Sequence, residues 1–185
     1  MKTGYANRVR IIGGQWRGRV LRFPDVPGLR PTPDRVRETL FNWLGQDLTG
    51  QRCLDLFAGS GALGFEAASR GAQRVVLVER SRVAAAALHR SAAELHANSC
   101  EVLHRNALEF LAAPTERFDV VFLDPPFDDG ILAEALDCVH AVSGPASRVY
   151  VEAPDLASVR RPGWRIVKEA RAGVVHFALL ERATE

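Results

Sequence analysis

From residue 52 onward, short apolar runs alternate with longer stretches of helical periodicity. The apolar runs lie near 52–57, 74–79, 100–104, 118–123 and 147–152, and the helical stretches lie near 61–70, 81–97, 106–112 and 129–141. Short apolar runs between helices are typical of buried parallel strands. The alternation therefore predicts an α/β fold with a Rossmann-like, doubly wound sheet.

The first part of the chain follows a different pattern. Residues 8–23 alternate polar and apolar side chains around a Gly-Gly pair, which predicts a basic β-hairpin. A Pro- and Gly-rich loop comes next, and Thr32 can cap a helix that has Pro33 at its first position. We therefore expect an N-terminal extension of hairpin, loop and helix over 1–48, followed by a Rossmann-like domain over 49–185.

The last part of the chain predicts two further strands. Residues 164–169 and 174–180 are both rich in apolar and β-branched side chains, and a short turn signal separates them. We expect an antiparallel pair at one edge of the sheet.

A glycine-rich segment joins the first predicted strand to its helix. Asp55 precedes glycines at 59, 61 and 64, whose spacing matches the dinucleotide fingerprint. Such a fingerprint presents backbone N–H groups to a pyrophosphate, and a nearby carboxylate would repel that anion. Asp55 instead suits a cationic ligand, such as the ammonium and sulfonium of S-adenosylmethionine. The alternative is an acid that caps the following helix.

Three more polar residues stand at predicted strand ends. Glu79 ends the second strand, Asn106 follows the third and Asp124 follows the fourth. In open α/β sheets ligands bind outside the carboxyl ends of the strands, so one crevice can gather all of them with the glycine turn. A carboxylate at the position of Glu79 can accept both hydroxyls of a ribose.

Asp124 begins the segment Asp124-Pro125-Pro126-Phe127, whose chemistry is distinctive. Proline removes a backbone donor, so nearby carbonyls remain free as acceptors, and an ionised carboxylate can only accept hydrogen bonds. Phe127 supplies a face for stacking. This combination suits a planar group that bears an NH2, such as a nucleobase amine. The alternative is a tight turn with a buried Phe.

Charge is unevenly distributed along the chain. Residues 1–45 carry nine Lys and Arg against three Asp and Glu, whereas residues 46–185 carry fifteen against nineteen. Basic charge at one end of the chain indicates a nucleic-acid partner. Three widely spaced cysteines fit neither a disulfide framework nor a zinc site, and no apolar run is long enough for a membrane helix. A cytoplasmic protein without a metal is expected.

These motifs carry a resemblance to a known family. The segments Asp55–Gly61 and Asp124–Phe127, together with Glu79, resemble the cofactor and catalytic motifs of S-adenosylmethionine-dependent amino-methyltransferases. More specifically, the segments Arg10–Arg19 and Gly28–Trp43 resemble the bacterial small-subunit (16S) ribosomal RNA guanine-N2 methyltransferases of the RsmD type. The resemblance is close over residues 8–130 and looser in the tail. It implies a class I methyltransferase fold, S-adenosyl-L-methionine as cofactor, and 16S rRNA as substrate, within a small ribosomal subunit or its assembly intermediate.

The resemblance also implies roles for individual residues. The residues implied in catalysis are Asp124, Pro125, Pro126 and Phe127. Those implied in cofactor binding are Asp55, Phe57, Gly59, Ser60, Gly61, Glu79, Arg80, Asn106 and Ala107, although the family often has Asp at the position of Asn106. We expect phosphate contacts from five arginines of the basic extension: Arg10, Arg17, Arg19, Arg30 and Arg35.

Two alternatives stay open at this point. The acceptor-rich segment at 124–127 would equally suit a methyltransferase for adenine N6, cytosine N4 or a protein glutamine. The glycine fingerprint would also suit a nicotinamide-dependent oxidoreductase, although Asp55 and the Pro-Pro pair count against it.

Overall fold

The structure is a computed structural model that describes residues 7–126 and 130–183. It begins with an antiparallel hairpin, in which β1 (Asn7–Arg10) pairs with β2 (Val20–Phe23). Helix α1 (Asp34–Leu44) follows after a loop. The predicted hairpin and helix of the extension are therefore present.

The remaining elements alternate as the sequence predicts. The strands are β3 (Arg52–Asp55), β4 (Arg74–Glu79), β5 (Cys100–His104), β6 (Phe118–Leu123), β7 (Ser143–Ala153), β8 (Trp164–Ala172) and β9 (Val175–Arg182). The helices are α2 (Ala62–Ser69), α3 (Arg82–Leu95), α4 (Ala107–Ala112) and α5 (Ile131–Cys138), with 3-10 turns at Val139–Ala141 and Ala157–Val159.

Within the described residues, β3 to β9 form one seven-stranded sheet in the order β5-β4-β3-β6-β7-β9-β8. Strands β3 to β7 run parallel, and β9 is antiparallel to both of its neighbours. The strand order reverses between β3 and β6, which is the kind of switch point where open α/β sheets bind ligands. The predicted Rossmann-like sheet and the antiparallel pair at one edge are confirmed.

Apolar side chains cover both faces of this sheet. The hairpin and helices α1 to α3 pack on one face, around Phe41, Phe65 and Phe122. Helices α4 and α5 pack on the other face, around Phe110 and Phe118. Strands buried on both faces explain why the sequence shows continuous apolar runs rather than strict alternation.

Most predicted boundaries agree with the structure. Strands β4, β5 and β6 begin and end where the sequence predicts. Strand β7 begins earlier, at Ser143, and β8 continues to Ala172, so the turn between β8 and β9 is shorter than expected. The helix predicted over 129–141 is divided into α5 and a 3-10 turn, and residue 129 lies outside the described residues.

The prediction that Thr32 caps α1 was wrong. The N-cap residue is Pro33, and no side chain caps the helix. The Thr32 hydroxyl instead donates to Oδ2 of Asp124 at 3.2 Å, across 92 residues of sequence. A capping preference reflects local geometry only, and here a long-range acceptor takes the hydroxyl.

A buried ionic cluster fastens the N-terminal segment to the domain. The side chains of Arg37 and Glu66 are fully buried, and Nη1 of Arg37 lies 3.1 Å from Oε2 of Glu66. Arg70 approaches the other Glu66 oxygen at 2.9 Å. The backbone N–H groups of Ile12 and Gly13 also donate to this carboxylate, at 2.9 and 2.7 Å. We call Arg37, Glu66 and Arg70 the Glu66 network.

The loop of the hairpin lies directly on α2. Gly14 has a φ of +73°, and a Cβ there would lie 1.9 Å from the Ser69 carbonyl oxygen. The Ser69 hydroxyl donates to the Gly13 carbonyl at 2.6 Å and accepts from the Trp16 N–H at 2.9 Å. A side chain at residue 14 would separate these partners, so the glycine is required by close packing.

Candidate active site

A cleft of about 680 Å³ opens at the carboxyl ends of the central parallel strands. The four positions that the sequence places at strand ends, namely the glycine turn, Glu79, Asn106 and Asp124, all line it. It is also lined by Asp55, Phe57, Ser60, Arg80, Ala107, Pro125 and Pro126. The structure therefore brings most of the predicted cofactor and catalytic residues into one cavity.

Asp55 ends β3 at the base of the cleft. Its Oδ2 accepts a hydrogen bond from the Gly64 N–H at 2.9 Å, and its side chain is buried. Burial raises the pKa of Asp55 to about 7, against the lowering effect of the Gly64 bond and with a smaller raising effect from Glu79. Asp55 therefore both supports the start of α2 and lines the cleft, so the two interpretations of this residue are compatible.

The glycine turn has two parts with different functions. Gly59 lines the cleft, has a φ of +51°, and has only ordinary contacts around the position of a Cβ. Gly61 has a φ of +78°, and a Cβ there would lie 2.6 Å from Phe65 and 2.7 Å from Leu88. Gly61 is absent from the cleft wall, so its place in the structure is explained by the packing of α2 and α3.

Glu79 shapes the glycine turn. Its Oε2 accepts from the Gly59 N–H at 2.8 Å, and its Oε1 accepts from the Ser81 N–H at 2.7 Å. Each carboxylate oxygen can accept about two hydrogen bonds, so both oxygens keep capacity for a ligand. Glu79 therefore connects the turn after β3 to the start of α3 while facing the cleft.

Asn106 is the N-cap of α4. Its Oδ1 accepts from the N–H groups of Leu108 and Glu109, at 2.8 and 3.4 Å. The structure thus gives Asn106 a local function that the sequence analysis did not consider. Asn106 also lines the cleft, and no hydrogen bond to a described residue uses its amide NH2.

Asp124 follows β6 at the centre of the sheet. Its pKa is raised well above the ordinary range, chiefly by burial, then by the charges of Glu152 and Asp55, while the Thr32 hydrogen bond opposes the shift. Pro125 is buried and Pro126 is exposed, and both line the cleft. Phe127 lies outside the described residues.

Glu152 is a cleft residue that sequence analysis missed. It stands near the end of β7, is 4% exposed, and accepts a hydrogen bond from the Tyr150 hydroxyl at 2.9 Å. Burial raises its pKa, while hydrogen bonding to Tyr150 and Thr32 lowers it. The signal was present in the sequence, because Val149–Glu152 is an apolar strand that ends in an acid, like the strand that ends in Glu79.

The chain resembles known proteins over nearly its whole length. The family model described as conserved hypothetical protein 95 matches residues 9–181. The protein named ribosomal RNA small subunit methyltransferase D of Escherichia coli is 44% identical over 185 residues, covering 97% of this chain and 93% of the relative. Its namesake in Haemophilus influenzae is 42% identical and covers 94% and 93% of the two chains.

A solved structure agrees with these sequence matches. The putative methyltransferase yhhF of Escherichia coli superposes with a TM-score of 0.85 at 42% identity, covering 97% of this chain and all of that one. This chain belongs to the small-subunit ribosomal RNA methyltransferase D family. The expected resemblance is confirmed, and the protein is a methyltransferase rather than a nicotinamide-dependent oxidoreductase.

In this member of the methyltransferase D family, the loop before α1 forms one wall of the cleft. Residues 26–33 line it, including Arg30 and Thr32. The other four arginines expected to contact RNA are exposed on the extension and do not line the cleft: Arg10, Arg17, Arg19 and Arg35. Arg19 also donates to the Glu94 carbonyl at 3.1 Å, which holds the hairpin loop near the end of α3.

The described residues contain neither a metal-binding cluster nor a membrane-spanning helix. In residues 7–126 and 130–183, no group of three His, Cys, Asp or Glu side chains is gathered closely enough to hold a metal ion. None of the helices in that part of the chain is long and apolar enough to span a membrane.

Proposed function

We propose that this enzyme transfers a methyl group from S-adenosyl-L-methionine to the exocyclic N2 amine of a guanine in 16S ribosomal RNA. The observation that carries the proposal is the position of Asp124. Its carboxyl group lies at the end of β6, in the same cleft as the strand-end acids and the glycine turn. This arrangement supports a site for the substrate amine and a site for the cofactor in one cavity.

The residues of the cleft fit S-adenosylmethionine. A cationic ligand is favoured where buried carboxyl groups have no cationic partner, and Asp55 is such a group among the described residues. Glu79 has acceptor capacity for the two ribose hydroxyls, and the main chain at Gly59 and Ser60 can approach the ligand closely. Phe57, Arg80, Asn106 and Ala107 complete the proposed site around the adenosine.

The methyl transfer depends on how the amine is held. When bound, S-adenosylmethionine would supply an electrophilic methyl group: the amine nitrogen would form the new bond to carbon, and the electron pair of the broken carbon–sulfur bond would stay on sulfur, leaving S-adenosylhomocysteine. The Asp124 carboxylate and the Pro125 carbonyl accept hydrogen bonds from the two N–H groups of the amine. This localises the nitrogen lone pair and points it at the methyl. The nitrogen then releases a proton, for which Asp124 is the acceptor in this scheme. Positioning supplies most of the rate enhancement.

A base in RNA must leave its stack to reach this cleft. Extrusion costs a few kcal/mol, and stacking on an aromatic ring offsets part of that cost. Phe127 is proposed for this stacking contact, and Pro126, which is exposed beside Asp124, forms the adjoining wall.

Ribosomal RNA as the substrate rests on the relatives and on the basic extension. Both named relatives are ribosomal RNA small subunit methyltransferases. Five of the exposed arginines on residues 1–48 are proposed to contact phosphates around the target base: Arg10, Arg17, Arg19, Arg30 and Arg35. The substrate would be met in the cytoplasm, within a small ribosomal subunit or an assembly intermediate.

The test is methyl transfer from tritiated cofactor to four acceptors: naked 16S RNA, assembled small subunits, DNA and protein. The products are then digested and their nucleosides identified. N2-methylguanosine in ribosomal RNA supports the proposal. Label in N6-methyladenosine, N4-methylcytidine or methylglutamine would contradict it and favour one of the other amines.

A further inference from the structure

Glu152 and Asp124 form a side-by-side pair of carboxyl groups in the cleft. Strands β6 and β7 are parallel, and Phe122 is in register with Tyr150. Two residues further along, Asp124 is therefore level with Glu152 and on the same face of the sheet. The rings of Phe122 and Tyr150 confirm the shared face, since their centroids are 6.4 Å apart.

Asp124 and Glu152 share Thr32 as a neighbour, and Tyr150 holds Glu152 alone. The Thr32 hydroxyl donates to Asp124 and also interacts with Glu152, while the Tyr150 hydroxyl fixes Oε1 of Glu152 at 2.9 Å. Among the described residues neither carboxyl forms an ion pair. A carboxylate has about four acceptor positions, so these contacts leave each group able to accept from a ligand.

Two adjacent acceptors discriminate among the possible amine targets. In guanine the N2 amine is next to the N1–H group, so that edge presents two donors. In adenine and cytosine the amine is next to a ring nitrogen that only accepts, and in glutamine it is next to a carbonyl oxygen. If adenine, cytosine or glutamine occupied the site, its acceptor atom would face the second carboxylate, which also only accepts hydrogen bonds. Two acceptors facing each other are unfavourable.

We infer that Glu152 determines guanine specificity by accepting a hydrogen bond from guanine N1–H while Asp124 accepts from the N2 amine. The inference rests on the proposed function, because it concerns the base whose amine is methylated. Flipped bases are commonly recognised through the edge that Watson–Crick pairing uses. Glu152 is the residue that turns a general amine site into one for guanine.

The experiment changes one donor on the base and one acceptor on the protein. The methylated guanine is first mapped, and RNA is then prepared with 2-aminopurine at that position. This base keeps the amine at C2 but has an acceptor at N1. Glu152→Gln provides an amide whose NH2 can donate to that acceptor. Because 2-aminopurine also lacks the O6 oxygen, the measured quantity is the guanine-to-aminopurine ratio of kcat/KM in each enzyme.

Wild type should prefer guanine by at least about tenfold, and Glu152→Gln should reduce this preference by about tenfold or more. Cofactor affinity by calorimetry and the melting temperature should be close to wild type in the variant. Glu169→Gln, which changes an exposed glutamate of β8, is the matched control and should keep the wild-type ratio. Tyr150→Phe removes the hydrogen bond that holds Glu152 and should reduce the preference by a smaller factor.

Two results would overturn the inference. One is wild-type enzyme that methylates 2-aminopurine as fast as guanine, whatever the variants do. The other is a folded Glu152→Gln enzyme with an unchanged ratio. In either case N2-methylguanosine in the wild-type product would leave the proposed function standing, whereas its absence would remove the proposed function itself.

Discussion

Buried or half-buried acids occur in two regions of this enzyme, and their surroundings are opposite. Glu66 is enclosed by two guanidinium groups and two backbone N–H donors, so its hydrogen-bonding capacity is used within the protein. Asp55, Asp124 and Glu152 line the cleft without a cationic partner among the described residues, and burial raises the pKa of each.

The difference in pairing indicates a structural role for Glu66 and a ligand-binding role for the acids of the cleft. A buried carboxylate that is fully paired stabilises one arrangement of the chain, here the docking of the hairpin on α2. A buried carboxyl group without a cation is costly to ionise, and perturbed groups of this kind cluster at functional sites. The acids of the cleft therefore have hydrogen-bonding and charge-pairing capacity left for a ligand.

The largest expected effect is on turnover. Replacing Asp124 with Ala should abolish detectable methyl transfer, because the amine loses the acceptor that orients it. Cofactor affinity should remain close to wild type in calorimetry, since the proposed cofactor contacts belong to other residues. Wild-type turnover by this variant would remove Asp124 from the mechanism.

Glu66 provides the contrasting result. Replacing Glu66 with Ala leaves two buried guanidinium groups without their shared partner, and removing one member of a buried ion pair costs about 3–5 kcal/mol. Denaturant unfolding should show a loss of that size in the free energy of unfolding. Glu101→Ala is the control, because the Arg74–Glu101 pair is exposed and should contribute at most about 1 kcal/mol. Equal losses of unfolding free energy in Glu66→Ala and Glu101→Ala would contradict the structural role of the buried pair.

Cofactor affinity should respond to the acids at the ends of β3 and β4. Asp55→Asn and Glu79→Gln each remove a charged acceptor, which costs about 1.5–3 kcal/mol, or roughly tenfold to a hundredfold in affinity. Calorimetry with S-adenosylmethionine measures this directly. Unchanged affinity in both variants would contradict the assignment of the cofactor site.

The arginines of the extension should contribute to RNA affinity with little effect on the cofactor. Replacing Arg17 and Arg19 together should weaken RNA binding and flatten the dependence of log affinity on log salt by about 1–2 units. A salt titration of wild type and double variant gives both slopes. Identical slopes would show that these side chains are a solvated surface.

The sequence predicted which residues lie at the strand ends of the site better than it predicted their hydrogen bonds. Asp124, Glu79 and Asn106 were placed correctly because parallel strands end at one edge of a sheet, so position along the chain becomes position in space. The local contacts of Asn106, and the bond between Thr32 and Asp124, depend on the detailed path of loops. Sequence periodicity does not determine that path.

The Glu66 network could not be predicted from sequence patterns. Periodicity treats charged side chains on a helix as solvent-facing, yet Arg37 and Glu66 are both fully buried. Only the packing of α1 against α2, 29 residues away in sequence, pairs them. Glu152 differs, because the rule that identified Glu79 applies equally to the end of β7.

The central claim is that Asp55 in the cleft binds a cationic cofactor, and the pH dependence of cofactor binding tests it most directly. Because the pKa of Asp55 is raised to about 7, the folded protein binds more protons than the unfolded chain between about pH 4 and 7. Without cofactor, the contribution of Asp55 to the free energy of unfolding therefore falls as pH rises through that window.

A bound cation reverses this preference, so cofactor binding must release a proton from Asp55. Affinity measured by calorimetry should rise by about tenfold or more between about pH 5.5 and 7.5 in wild type. The rise should be clearly smaller in Asp55→Asn, and unchanged in Glu101→Gln, which alters an exposed acid. Affinity that is independent of pH in wild type, or equal slopes in wild type and Asp55→Asn, would contradict the account.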